Sequence, residues 1–205
     1  MSQYQITYKQ FQAFIDAPDG FSNPQWWNGL HADGLEQQQG GPRDQSYKFW
    51  NHPRETVSWY DAMAFCRWLS TKLGYAITLP TEEQWEKAAR GTDGRVYSYG
   101  NGFDKTKGNT EEIGIGQTSA VGIFPDPALP YGLCDMVGNV WEWTLTEYDS
   151  KTSNIFDNNE RRVVRGGSWS RYDVGARAAY RNGRNPDYRY DDFGFRVCCG
   201  VVPIT

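Results

Sequence analysis

The stretch from Arg165 to Arg196, RGGSWSRYDVGARAAYRNGRNPDYRYDDFGFR, concentrates side chains that make contacts rather than break bonds. It holds seven Arg, four Tyr and four Asp, and no Lys, Glu, His or Cys. Planar Arg and Tyr offer large contact area with few rotors to freeze, while Asp, Asn, Ser and Gly supply adaptable hydrogen bonds. The chemistry to expect is recognition. The competing reading is a solvated surface, because exposed loops everywhere are rich in Arg, Asp and Asn. The four Tyr and Trp169 weigh toward contact with a partner, since exposed rings in that number usually meet something. Arg177 and Arg181 read instead as frame residues, paired to carboxylates beneath the surface.

A second constellation is DMVGNVWE, residues 135–142. Hard Ca²⁺ takes carboxylate and carbonyl oxygens on a tight turn. Asp135 and Glu142 supply side chains, and Gly138 and Val140 supply carbonyls between them. The alternative is a turn in which Asp135 and Asn139 bond their own backbone. His31 and His52 are the only histidines, which excludes most multi-histidine metal sites. Cys66, Cys134, Cys198 and Cys199 are too few and too irregular for a disulfide framework, and no C-x-x-C occurs. Free thiols in a reducing cytoplasm are the plain expectation. If Cys198 and Cys199 sit on a strand, one faces inward and the other outward.

The elements that must position these residues are legible mainly from their caps. At 205 residues, a single compact domain spanning 1–205 is expected. Nine Trp and 16% aromatics predict a ring-rich core whose indole N–H groups need partners. A net charge of −4 argues against nucleic-acid binding by bulk field. No apolar run is long enough for a membrane span, and no secretory signal opens the chain. Thr7…Gln10, Ser58…Asp61 and Thr81…Gln84 predict three helix starts, with Pro18, Gly74 and Gly91 as stops. Residues 19–52 read as a long ordered loop anchored by Trp26, Trp27 and Trp50, and residues 91–130 as a second loop-like stretch. Short strands are expected at 76–79, 140–144, 163–166 and 195–199, with Trp141 and Trp143 facing the core.

Five segments then add up to a resemblance. NHPRETVSWYDAMAFCRWLS, LPTEEQWEKAARG, YGLCDMVGNVWEWT, RVVRGGSW and GFR, in this order, resemble the formylglycine-generating-enzyme (sulfatase-modifying factor) domain over roughly residues 7–200. The resemblance implies an α+β, C-type-lectin-like fold, loop-rich with short strands and a few helices. It also implies a structural Ca²⁺ at Asp135, Gly138, Val140 and Glu142, although Asn is common at the place of Asp135. The family's usual opening strands are absent or shortened before Ile6, as expected of a trimmed N-terminus or a missing upstream domain.

The family is functionally mixed, so the fold alone does not decide the activity. Its oxidase members carry a copper-binding cysteine pair shortly after the GGS motif. Here Ser168 to Asp173 contains no Cys, and neither Ser nor Asp replaces a thiolate on soft copper. Its iron-dependent sulfoxide synthases need a histidine-rich site that two scattered histidines do not supply. The third kind, the variable proteins of diversity-generating retroelements, have adenine-directed mutagenesis of AAC codons at the C-terminal end. That chemistry yields neither Lys nor Glu, which matches this segment.

On this resemblance the variable region covers about residues 165–197. The expected ligand-binding residues are Trp169, Ser170, Arg171, Tyr172, Asp173, Gly175, Tyr180, Asn182, Gly183, Asn185, Tyr188, Tyr190, Asp191 and Asp192. The expected ligand is a macromolecule, protein rather than nucleic acid, and the retroelement reverse transcriptase acts on the gene and not on the protein. An oxidase, or an adaptor with one fixed partner, is the alternative.

Overall fold

The computed structural model describes residues 1–124, 131–153 and 159–200. Three of its helices begin where the hydroxyl caps predict. Helix α1 (Tyr8–Asp16) starts after Thr7, whose side chain accepts from the Gln10 amide while the Gln10 side chain accepts from the Thr7 amide. The next helix in the chain, α2 (Ala32–Gln39), is capped by the His31 ring, which accepts from the Asp33 amide at 3.3 Å. Helix α3 (Trp59–Leu73) carries the same reciprocal arrangement between Ser58 and Asp61, and α4 (Glu82–Arg90) between Thr81 and Gln84. Each box satisfies two orphan amides, and loss of such a cap costs about 1 kcal/mol. Gly74 ends α3 at φ 70° and Gly91 ends α4 at φ 61°, both conformations that disfavour a side chain.

The sheet is small. Strands β2 (Trp141–Glu147), β3 (Arg162–Arg165), β4 (Asn182–Arg184) and β5 (Phe193–Gly194) form one sheet in the order β4-β3-β2-β5. Strand β3 is antiparallel to both β2 and β4, and β5 runs parallel to β2. A separate pair joins β1 (Ile77–Thr78) to β6 (Cys198–Cys199). Register places Glu142 opposite Arg165 and Trp143 opposite Val164, with an irregularity between Trp143 and Glu147. Cys198 is buried and Cys199 exposed, as the alternation of a strand requires.

Rings fill the space between α1, α3 and the sheet. Phe11, Phe14, Phe65, Trp68 and Phe195 touch in edge, stacked and tilted pairs with centroids 5.3–6.1 Å apart. Buried indoles find acceptors across the chain: Trp59 donates to the Thr144 carbonyl and Trp143 to the Val57 carbonyl, both at 2.9 Å. Every residue of β2 is buried, Trp141 and Trp143 included.

The stretch 19–52 differs from the expected loop. It contains a 3₁₀ turn at Pro24–Trp27 and the helix α2. Among the residues of α2 only Gly34 is buried, and a Cβ there would lie 3.1 Å from the Tyr60 ring. This helix docks by close backbone approach rather than by an apolar stripe, so it leaves no hydrophobic period to read. Trp26 and Trp27 do anchor the stretch, but Trp50 does not: it is 60% exposed and stacks on Tyr8. Strands β4 and β5 were also unexpected. The NGR of β4 has no alternation, and pairing with β3 alone makes it a strand. Among the described residues, no helix is long and apolar enough to cross a membrane.

Candidate ligand-binding face

A buried scaffold of ion pairs fixes the C-terminal segment before any exposed side chain is considered. Arg165 donates to Glu82 at 2.6 Å, to Glu86 at 2.9 Å and to the Ala178 carbonyl, and its guanidinium lies over the Trp85 ring. Glu82 also receives both arms of Arg181, at 2.9 and 2.7 Å, so one carboxylate on α4 holds two points of the segment. Arg189 forks onto Asp61 of α3 at 2.7 and 2.5 Å. Arg196 is buried against Glu142. Forked guanidinium–carboxylate pairs fix orientation as well as distance. Arg165, Arg181 and Arg196 are therefore frame residues, whereas Arg177 is half exposed and reaches Asp173 only at 3.8 Å.

The RGGSW turn adds a second constraint. Gly166 and Gly167 have φ of 93° and 76°, and a Cβ on Gly167 would lie 3.0 Å from the Ala176 backbone. Beyond the turn, the Trp169 amide donates to the Asn139 carbonyl at 3.0 Å and its indole N–H to the Asp191 carbonyl at 3.3 Å. Ser168 and Ser170 both donate to Asp192 Oδ2 at 2.9 Å. Tyr97 donates to Asp173 Oδ2 at 3.0 Å, and the Asp173 amide donates to Glu112 at 2.7 Å.

Above this scaffold the segment presents rings and polar groups. Tyr172, Tyr190 and Tyr180 are 66%, 54% and 39% exposed. Arg171 and Asn185 are exposed, and Trp169, Ser170, Asp173, Gly175, Asn182, Tyr188 and Asp191 are half-buried. Tyr188 stacks on Tyr190 with centroids 4.3 Å apart and meets Phe193 edge-on at 5.2 Å, so it joins core to surface.

Two expected contact residues lie inside instead. Gly183 is buried in β4, and a Cβ there would stand 2.6 Å from the Tyr148 ring. Asp192 is only 5% exposed, because the hydroxyls of Ser168 and Ser170 replace its water. Both belong to the frame. Conversely, sequence reasoning passed over Tyr47 and Phe49 and took Trp50 for a loop anchor. Tyr47 packs at right angles on Trp169, and Phe49 and Trp50 are exposed on the same loop. Three rings in four residues of an otherwise polar loop was the available signal.

The calcium expectation meets a specific obstacle. Glu142 accepts from Gln5 at 2.9 Å, Trp85 at 2.6 Å and Arg196 at 2.6 and 2.8 Å, which leaves no lone pair for a cation. Asp135 Oδ2 accepts from the Gly122 amide at 2.6 Å, and its buried Oδ1 has no hydrogen-bond partner. With Glu142 taken, Asp135 Oδ1 and the carbonyls of Gly138 and Val140 are the expected donors left, against the six to eight oxygens that Ca²⁺ takes. Among the described residues, no group of three His, Cys, Asp or Glu is placed to hold a metal. Burial pushes the Asp135 carboxyl up to about 6, against the opposing effects of the Gly122 amide and Arg196. His52 is half-buried, its Nδ1 is 2.9 Å from the Thr118 hydroxyl, and burial lowers its pKa, as suits a structural histidine.

The comparisons agree with this architecture. The fold is like that of Treponema denticola variable protein 1 (TM-score 0.72, 23% identity, covering 95% of this chain and 82% of that one). It is also like PvdO from Pseudomonas aeruginosa (TM-score 0.76, 24% identity, 98% and 79% covered). In sequence the chain is 37% identical over 192 residues to the inactive C-alpha-formylglycine-generating enzyme 2 of Bos taurus, covering 86% of this chain and 59% of that protein. It is 34% identical over 178 residues to the formylglycine-generating enzyme of Mus musculus, covering 75% and 45%. The chain thus spans about half the length of these curated relatives. Residues 1–200 match the sulfatase-modifying factor enzyme 1-like domain, and the chain belongs to that family.

Proposed function

We propose that this chain is a ligand-binding protein whose C-terminal face, diversified in the manner of retroelement variable proteins, contacts a protein partner. The observation that carries the reading is the division of labour within residues 165–197. The arginines that fix the backbone are paired below, to Glu82, Asp61 and Glu142, while Tyr172, Tyr180 and Tyr190 project into solvent. A paratope needs that division: side-chain identity changes without loss of the fold. The fold shared with Treponema denticola variable protein 1 supports it.

The chemistry available at the same face also favours binding over oxidation. After the GGSW turn come the hydroxyl of Ser170 and the guanidinium of Arg171, with no thiol. Burial raises the pKa of Cys66 and Cys198, which keeps both as poorly reactive thiols. A relative called an inactive formylglycine-generating enzyme is consistent with such a loss.

The test of diversification lies in the DNA. A near-copy of the stretch encoding residues 165–200, differing at adenines and lying beside a reverse-transcriptase gene, is the expected finding. An invariant segment across isolates, with no such copy, favours an adaptor with one fixed partner. Copper-dependent oxidation of a cysteine-containing peptide by the purified chain contradicts the reading outright.

A further inference from the structure

The ring nearest Trp169 comes from outside the C-terminal segment. Tyr47 and Trp169 meet at 89° with centroids 5.8 Å apart. Each is held by its own backbone. The Ser46 and Tyr47 amides donate to Glu55 Oε1 at 2.5 and 3.0 Å, so a buried carboxylate clamps the Tyr47 turn from below. On the other side the Trp169 amide is tied to Asn139 and its indole to Asp191. Two perpendicular rings on fixed supports form a corner that a partner finds already built. Phe49 and Trp50 continue the aromatic surface along the same loop.

Carboxylates border the corner. Asp191 is half-buried and, among the described residues, neither it nor Asp192 forms an ion pair. Burial first, and then the charge of Asp192, raises the Asp191 carboxyl. Burial, followed by the fields of Asp191, Glu55 and Asp192, raises the Tyr47 phenol. The cations nearby are committed elsewhere. Lys48 pairs with Asp44 at 3.4 Å, Arg54 lies over the Phe11 ring and donates to the Arg43 carbonyl, and Arg189 is locked to Asp61. Arg171, next to Ser170, is exposed and lies, like Trp169 and Asp191, within the segment proposed to be diversified.

Aromatic faces attract cations through their quadrupole, and a carboxylate at the rim adds its own Coulomb attraction. We propose that the corner of Tyr47 and Trp169, with Asp191 at its edge, receives a lysine or arginine side chain of the protein partner. It is an anchor that does not depend on Tyr172, Tyr180 or Tyr190. The inference rests on the reading that this face binds a protein. It gives that reading a ligand chemistry and places one contact residue, Tyr47, outside the diversified segment.

The test uses capped Gly-Lys-Gly and Gly-Arg-Gly tripeptides, with a norleucine tripeptide as the neutral control, titrated into the full chain. The readouts are the chemical shift of the Trp169 indole N–H and tryptophan fluorescence. Saturable binding of the cationic peptides is expected, about three- to tenfold tighter than norleucine. Tyr47→Ala and Asp191→Asn should each abolish that preference, and Tyr47→Phe, which keeps the ring, should retain it. Equal binding of norleucine, absence of saturation at tens of millimolar, or an unchanged preference in Asp191→Asn overturns the proposal.

Tyr172→Ser with Tyr180→Ser should leave tripeptide binding intact, which separates the two ideas. Failure of the tripeptides removes the anchor and leaves the variable face untouched. An invariant C-terminal segment removes the diversified face and leaves the anchor.

Discussion

Arg196 and Glu142 meet as a forked pair in the interior, Nε to Oε2 at 2.6 Å and Nη2 to Oε1 at 2.8 Å. Arg196 also donates to the carbonyls of Gln3 and Cys134, so one guanidinium joins β2, the N-terminal segment and the end of the variable region. Removing one partner of such a pair leaves a buried charge uncompensated, at a cost of about 3–5 kcal/mol. Glu142→Gln should therefore lower the melting temperature by roughly 6–20 °C for a domain of this size. A shift within about 2 °C in thermal unfolding would show that the pair does not hold the frame.

Two glycines eight positions apart should behave oppositely. A Cβ on Gly175 finds its nearest atom at 3.4 Å, the Arg171 Cβ, which is ordinary contact. On Gly183 it meets Tyr148 ring atoms at 2.6 and 2.8 Å, beneath the guanidiniums of Arg161 and Arg181. Gly183→Ala should destabilise by about 1–3 kcal/mol as an overpacked site, and Gly175→Ala by less than about 0.5 kcal/mol. Denaturant unfolding of both variants decides it, and equal costs would erase the distinction between frame and surface inside this segment.

Asp135 makes stability depend on pH in a definite direction. Its folded-state pKa, about 6, lies above the ordinary 3.8 because burial disfavours the charge. A raised value means the folded state holds the proton more tightly. The contribution is full below about pH 4, falls as pH rises toward 6, and is lost above, a swing on the order of 3 kcal/mol. Asp135→Asn should therefore stabilise the protein at pH 8 relative to pH 4, with φ of 55° tolerated by Asn. Calcium gives the complementary check. With Glu142 saturated, millimolar Ca²⁺ should leave the wild-type melting temperature unchanged, and a rise reversed by chelation would show that the Arg196 pair yields to the metal.

The sequence made the helix starts legible because Thr7, Ser58 and Thr81 act locally, each through an amide three residues on. It hid α2 because that helix touches the core through Gly34 and the Tyr60 ring, a tertiary contact without periodicity. It likewise hid β4, whose only cause is β3. At the site, polarity was a fair guide to exposure for Tyr172 and Tyr190 but not for Asp192. A charged residue reads as surface until the hydroxyls that bury it, Ser168 and Ser170, are seen to converge 22 or more positions away. Tyr47 was missed because its meeting with Trp169 is long-range, and the run of rings at Tyr47, Phe49 and Trp50 was its only local signal.

The division between an inner frame and an outer face is tested most directly by one pair of melting curves. Tyr172→Ser, Tyr180→Ser and Tyr190→Ser combined remove three exposed rings, whereas Tyr188→Ser alone removes a ring packed on Phe193 and under Arg184. The triple variant should melt within about 5 °C of the wild type, since exposed positions cost no more than about 0.5 kcal/mol each. The single Tyr188 variant should lose more than the triple. A triple variant that falls further than Tyr188→Ser would mean the outer rings hold the fold together, and the account would be wrong.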